Sequence, residues 1–90
     1  MLSVYKYKVP VNDYFTLDLP KTARILKAEV QHGDVCMWAL VEPGESTRER
    51  IFRFTGTGHP VNEAPAHLQH ISTFQMRGGE LVFHIFEVVR

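Results

Sequence analysis

The chain has 90 residues, and its ten Lys and Arg balance ten Asp and Glu, so its formal net charge is zero. This length predicts a single domain over residues 1–90. The charge balance argues against a nucleic-acid-binding protein, which usually carries a basic stripe, and against an acidic DNA mimic. The first residues lack the apolar core of a secretory signal, and no run approaches the ~18 apolar residues of a membrane span. We therefore expect no contact with a membrane.

Two strands separated by a turn are predicted at the start of the chain. Apolar or aromatic residues alternate with polar ones from Val4 to Val9, and the alternation returns from Tyr14 to Leu19 after the turn residues of Pro10–Asp13. A period of two residues is typical of a strand. We expect these first two strands to pair as a hairpin.

The segment Pro20–Gln31 allows two interpretations. Lys21–Ala28 contains good helix formers and follows a proline, which is typical of a short helix. The other interpretation is a strand, a turn at His32-Gly33-Asp34 and a second strand through the apolar run Val35–Val41. We favour this second interpretation, because a glycine-centred break of this length indicates a hairpin. Cys36, the one cysteine, lies inside that run and is predicted to be a buried thiol rather than a nucleophile.

A tight reversal at Pro43–Ser46 precedes a strand over Arg48–Thr55. The alternation in that strand gives two faces, one with Ile51, Arg53 and Thr55 and the other with Arg50, Phe52 and Phe54. From Gly56 to Gln69 the periodicity disappears, and one helical turn is expected around Pro65–His70. Long loops on compact domains often carry function, so this segment is a candidate for the site.

The last two strands, Ile71–Met76 and Leu81–Val89, are separated by Gly78-Gly79, which predicts a hairpin because both central turn residues need positive φ. Leu81–Val89 is apolar on both faces, so both should be covered. Two arrangements would achieve this: a homo-oligomer that pairs through Leu81–Val89, or a central position for this strand in a closed barrel. The fold class is therefore mainly β: a small antiparallel sandwich or barrel of about seven short strands, with at most one or two short helical turns.

The segment Thr55–Pro60 is the most distinctive in the chain. Two glycines spaced by one residue let successive backbone N–H groups converge, and such concavities bind anions. The predicted ligand-binding residues are those of this segment, with two arginines to supply charge: Arg53, Thr55, Gly56, Thr57, Gly58, His59 and Arg77. The alternative is ordinary turn chemistry, since the segment lacks the Gly-Lys-Ser/Thr ending of a P-loop.

Five histidines are the other chemically notable group. Three of them, His59, His67 and His70, fall in or beside the long loop with Glu63, but no Cys pair or His-Glu-x-x-His pattern accompanies them, so no metal site is predicted. His70-Ile71-Ser72 supplies one of the two His-x-Ser/Thr motifs of a two-histidine phosphodiesterase, and no second motif is present. We therefore predict no catalytic residue and no cofactor.

Short segments spread over nearly the whole chain carry a resemblance to known proteins: Tyr5-Lys6-Tyr7, Leu19-Pro20, Ile25-Leu26, Cys36, Trp38-Ala39-Leu40-Val41, Gly56-Thr57-Gly58-His59-Pro60, Thr73-Phe74-Gln75, Gly78-Gly79 and Leu81-Val82-Phe83-His84. In these segments the chain resembles a family of small, uncharacterised proteins encoded by tailed bacteriophages and prophages. The resemblance implies an accessory protein in the cytoplasm of an infected bacterial host, where small phage proteins often counter host defence. It implies no catalytic residues.

Two functions from different classes remain open. In the first, the protein sequesters a small anionic or nucleotide-derived host signal at Gly56–His59, with Arg53 and Arg77 supplying charge. In the second, it is an inhibitor that binds a host defence protein or nuclease effector through an exposed strand edge or an aromatic patch.

Overall fold

The computed structural model describes residues 1–90 and contains seven strands. They are β1 (Ser3–Lys8), β2 (Tyr14–Pro20), β3 (Arg24–Gln31), β4 (Asp34–Val41), β5 (Thr47–Gly56), β6 (Leu68–Met76) and β7 (Leu81–Val88). The only helical segments are two short 3₁₀ turns, Pro65–His67 and Arg77–Gly79. The model has no helix with the length and apolar character that crossing a membrane requires.

The strands form two antiparallel sheets that share one hydrophobic core. Sheet A has the order β1-β4-β3, and sheet B has the order β2-β5-β7-β6. The buried cluster takes side chains from both sheets; Met37 of sheet A and Phe52 and Ile85 of sheet B are completely buried. Within sheet B, Phe52 stacks on Phe15 with 5.1 Å between ring centroids. The prediction of a mainly β, seven-stranded antiparallel fold with short helical turns is confirmed.

The predicted hairpin of the first two strands is wrong, because β1 and β2 lie in different sheets. Val9 is buried, and its N–H donates to the Val35 carbonyl at 3.0 Å, so the ladder between β1 and β4 continues past the strand end. Four residues later the Asp13 carbonyl accepts from the Phe54 N–H at 2.9 Å, where the pairing of β2 with β5 begins. Buried apolar side chains on both sides of the link favour this crossing over a local turn.

Two of the predicted hairpins are present. His32 and Gly33 join β3 to β4 with φ values of 50° and 83°, the two positive angles that a type I′ turn needs. The helix considered for Lys21–Ala28 does not form, because most of that segment belongs to β3. The turn between β6 and β7 also has positive φ at Gly78 and Gly79.

Strand β7 lies in the middle of sheet B, hydrogen-bonded to β5 on one edge and to β6 on the other. Its inward side chains include Ile85, which is fully buried, whereas its outward residues are partly exposed. β7 is thus a central strand of an open sheet in a two-sheet sandwich, not of the closed barrel considered in the sequence analysis, and its two neighbours pair with both of its edges.

The two sheets meet along a seam between β3 and β6, at which the strands are adjacent without forming a ladder. The Ala28 N–H of β3 donates instead to the Ser72 hydroxyl of β6 at 2.8 Å. Near the end of the seam, Arg50 donates to both carboxylate oxygens of Glu87 at 2.6 Å and to the Ala23 carbonyl at 2.6 Å. A buried ion pair thus lies where the apolar core ends.

Candidate functional site

The outer face of sheet B is partly covered by the irregular segment after β5, residues 57–67. Arg53 and Thr55 point to this outer face, yet each is only 7% exposed. The Arg53 guanidinium donates to three backbone carbonyls: those of Asp13 at 3.1 Å, Phe54 at 2.6 Å and Pro60 at 3.1 Å. The last of these bonds ties the irregular segment to the strand beneath it.

Arg53 also has aromatic and acidic neighbours. Its guanidinium lies 4.9 Å from the centre of the Tyr14 ring, and its Nε is 3.6 Å from a Glu63 carboxylate oxygen. The Tyr14 hydroxyl donates to the other Glu63 oxygen; this hydrogen bond, with the Arg53 charge adding to it, lowers the pKa of Glu63. The same bond raises the pKa of the Tyr14 hydroxyl. Arg53 is therefore held by acceptors of the protein itself.

The Gly-Thr-Gly-His segment uses its backbone donors internally. The Thr57 N–H donates to the Val82 carbonyl at 3.1 Å, and the His59 N–H donates to the Gly56 carbonyl at 3.1 Å. Gly58 has a φ of 87°, and a Cβ at Gly56 would lie 3.2 Å from the His59 ring. These features are those of a tight turn and do not leave the N–H groups of Thr57 and His59 free to form an anion-binding concavity.

The seven predicted ligand-binding residues are consequently not brought together as one set. Gly56, Thr57 and His59 share a groove of about 260 Å³ with Glu80 and neighbouring β7 residues. The guanidinium of Arg53, with Thr55 beside it on β5, lies under the irregular segment, bonded to carbonyls. Arg77 is in the turn between β6 and β7, and neither it nor Gly58 lines the groove.

A different set of side chains does meet on the outer face of sheet B. The strand register places Thr55, His84 and Thr73 side by side across β5, β7 and β6. His84 Nε2 is 2.7 Å from the Thr57 hydroxyl, and its Nδ1 is 2.8 Å from the Thr73 hydroxyl. The Thr73 hydroxyl is in turn 2.9 Å from His70 Nε2. We call Thr57, His84, Thr73 and His70 the hydroxyl–imidazole row.

The direction of these hydrogen bonds follows from the carbonyl at one end. The Thr57 hydroxyl lies 3.4 Å from the Val82 carbonyl, which can only accept. When the Thr57 hydroxyl donates to this carbonyl, it accepts a hydrogen bond from Nε2 of neutral His84. Nδ1 of His84 then accepts from the Thr73 hydroxyl. The Thr73 hydroxyl in turn accepts from His70 Nε2. In this neutral state, each of these four donors has an acceptor either within the row or at the Val82 carbonyl. Protonation of His84 makes both its nitrogens donors and frees the Thr73 hydroxyl to donate outward.

Sequence reasoning missed this row because its members come from three separate segments. The alternation of β6 and β7 places His84 and Thr73 on the outward face of sheet B. Their contact depends on the register between those strands, which the sequence pattern does not specify. His70 also packs edge-on against Phe86, with 5.4 Å between ring centroids. No three His, Cys, Asp or Glu side chains converge closely enough to hold a metal ion.

Comparison with known proteins gives one positive result. No curated protein and no solved structure matches the chain. The model of the family described as "Domain of unknown function (DUF7352)" matches residues 1–90, the full length described above. The chain therefore belongs to the DUF7352 family.

Proposed function

We propose that this protein sequesters a small anionic ligand, such as a phosphate-bearing, nucleotide-derived host signal, on the hydroxyl–imidazole row. The observation that supports this function is the row itself: two hydroxyls and two imidazoles hydrogen-bonded in series on the surface of a rigid sheet. The proposal keeps Thr57 from the predicted site and replaces Arg53, whose two terminal nitrogens donate to backbone carbonyls and whose Nε faces the Glu63 carboxylate.

The chemistry of the row explains why an anion would bind there and why its binding would depend on pH. Hydroxyl and imidazolium groups donate hydrogen bonds to phosphate oxygens, and bonds to a charged partner are stronger than neutral ones. An anion favours the protonated row, in which Thr73 is free to donate outward. Glu80, in the groove beside Thr57, opposes anion binding when it is ionised. We therefore expect an anion to bind more tightly at lower pH, where imidazoles carry a proton.

The biological setting of the proposal comes from the resemblance to tailed-phage and prophage proteins. In that setting the protein is a phage accessory protein acting in the cytoplasm of the infected bacterial host. Removal of a nucleotide-derived alarm signal would counter host defence. Binding alone is enough for such a role, so it requires no catalytic residue.

The test is thermal unfolding with inorganic phosphate and a panel of linear and cyclic nucleotides, at about pH 6 and about pH 8. A ligand at a hundredfold excess over its dissociation constant stabilises the native state by about 2.7 kcal/mol. For a domain of this size, that corresponds to an increase of roughly 10–20 °C in Tm. We expect the larger increase at the lower pH.

Two isosteric variants separate the row from the rest of the surface. Thr73→Val removes the hydroxyl that joins the two histidines, and we expect it to abolish the ligand-dependent increase in Tm. Thr16→Val is the matched control, because Thr16 is exposed on the same outer face but lies outside the row. Equal increases in Tm for the Thr73 and Thr16 variants, or no increase with any ligand at either pH, would contradict the proposal.

A further inference from the structure

The outer face of sheet A has an apolar groove that no other part of the chain covers. Trp38, on the central strand β4, is half-buried at its base. Val4 and Leu26 line it and are 54% and 45% exposed. The bulge in β3 between Ile25 and Lys27 explains why Leu26 is exposed, because the extra residue turns this apolar side chain outward. The groove has a volume of about 370 Å³, enough for one large side chain of a partner.

The groove itself is lined by one charge of each sign, Lys27 and Glu29, and the residues that border it add positive charge, although the whole chain is neutral. In the register of sheet A, Lys6 and Lys27 lie on either side of Trp38, and Arg24 lies beside Leu40. Lys27 is paired with a carboxylate, that of Glu29 at 2.9 Å. Lys6 is bonded only to the neutral amide of Gln31, and no carboxylate lies within ion-pair distance of Arg24. Two cations at the border of the groove thus lack acidic partners.

An apolar pocket bordered by unpaired cations is complementary to a protein segment that combines an apolar side chain with carboxylates. A second copy of this chain fits less well, because a two-fold contact would bring Lys6 and Arg24 against an equally positive face. Single-stranded nucleic acid also fits less well, since this face offers one aromatic side chain and carries the carboxylates of Glu29 and Asp34.

We propose that this groove, which we call the Trp38 groove, is the docking site of an acidic protein partner. The partner inserts one apolar side chain between Val4, Leu26 and Trp38 and places carboxylates beside Lys6 and Arg24. This surface would serve the protein-inhibitor function that the sequence left open. It is independent of anion binding, because the hydroxyl–imidazole row lies on the other sheet.

The test uses Trp38 fluorescence, because Trp38 is the only tryptophan in the chain. The probes are short capped peptides with a central Leu-Phe flanked by Asp and Glu, the same peptides with Lys in place of the acids, and a short oligothymidylate. We expect the acidic peptide to change the fluorescence and to bind about tenfold more tightly than the basic one, a preference of ~1.4 kcal/mol. Added salt should reduce this preference.

Charge reversal and truncation locate the site. Lys6→Glu combined with Arg24→Glu should invert the preference between the acidic and basic peptides, and Leu26→Ser should weaken both. Lys21→Glu, at an exposed lysine between β2 and β3, is the matched control and should change neither. The proposal is overturned by equal binding of the two peptides, by tighter binding of the oligothymidylate, by no fluorescence change with any probe, or by light scattering that shows a dimer disrupted by Leu26→Ser.

Discussion

Replacing Glu87 by Gln should cost far more stability than removing an exposed charge, because it breaks a nearly buried ion pair. The side chains of Arg50 and Glu87 are only 12% and 10% exposed, and two hydrogen bonds of 2.6 Å join them. Unit charges about 4 Å apart at an effective dielectric constant near 20 attract by about 4 kcal/mol. Removing one charge also leaves the other buried without compensation, and the usual cost is about 3–5 kcal/mol. A domain of this size has roughly 5–13 kcal/mol of stability in total.

Urea unfolding measures this effect directly. With a slope of roughly 1.5 kcal/mol per molar, a loss of 3 kcal/mol lowers the midpoint by about 2 M. The matched control is Glu29→Gln, which removes a carboxylate from a pair whose side chains are both 55% exposed; it should cost less than about 1 kcal/mol. Replacing both Arg50 and Glu87 by Met should recover most of the loss, because apolar pairs often replace buried ion pairs without cost. Equal midpoints for the Glu87 and Glu29 variants would refute the reasoning.

Three smaller predictions concern the turns, the seam and the irregular segment. Gly33→Ala should destabilise the protein by about 1–2 kcal/mol in urea unfolding, because φ is 83° at this position. Ser72→Ala should cost about 1 kcal/mol and accelerate hydrogen exchange of the Ala28 amide, which would lose its acceptor. Tyr14→Phe should destabilise the protein at neutral pH, and the difference from wild type should shrink as the pH falls through the lowered pKa of Glu63, because the stabilising bond needs an ionised carboxylate. A pH-independent difference would assign the effect of that variant to packing.

Local signals in the sequence were sufficient for most of the strands. The turns between β3 and β4 and between β6 and β7 require positive φ, and the glycines Gly33, Gly78 and Gly79 mark them, although Arg77 also has a positive φ. The pairing of β1 was not predictable in this way, because its partner β4 is about 30 residues away and the residues that follow β1 also suit a local turn. Sequence alternation indicates which face a side chain takes but not which strand lies beside it.

The site was only partly predictable for the same reason: the sequence indicates the face of a side chain but not its neighbours. Alternation correctly placed Arg53 and Thr55 on one face of β5, and the sequence pattern did not show that residues 57–67 would cover that face. The contact of His84 with Thr57 and Thr73 depends on two strand registers together. A site formed by side chains from three strands or loops becomes visible only when those registers are known.

The split of the strands between the two sheets has a consequence for biosynthesis. All three strands of sheet A lie within residues 3–41, so they can meet before the rest of the chain has left the ribosome. β2 emerges in the same stretch, but its partner β5 begins only at Thr47. Until then Phe15, Leu17 and Leu19 lie on a strand that has no hydrogen-bonding partner. This is the interval in which a chaperone, or aggregation with another nascent chain, would compete most effectively with folding.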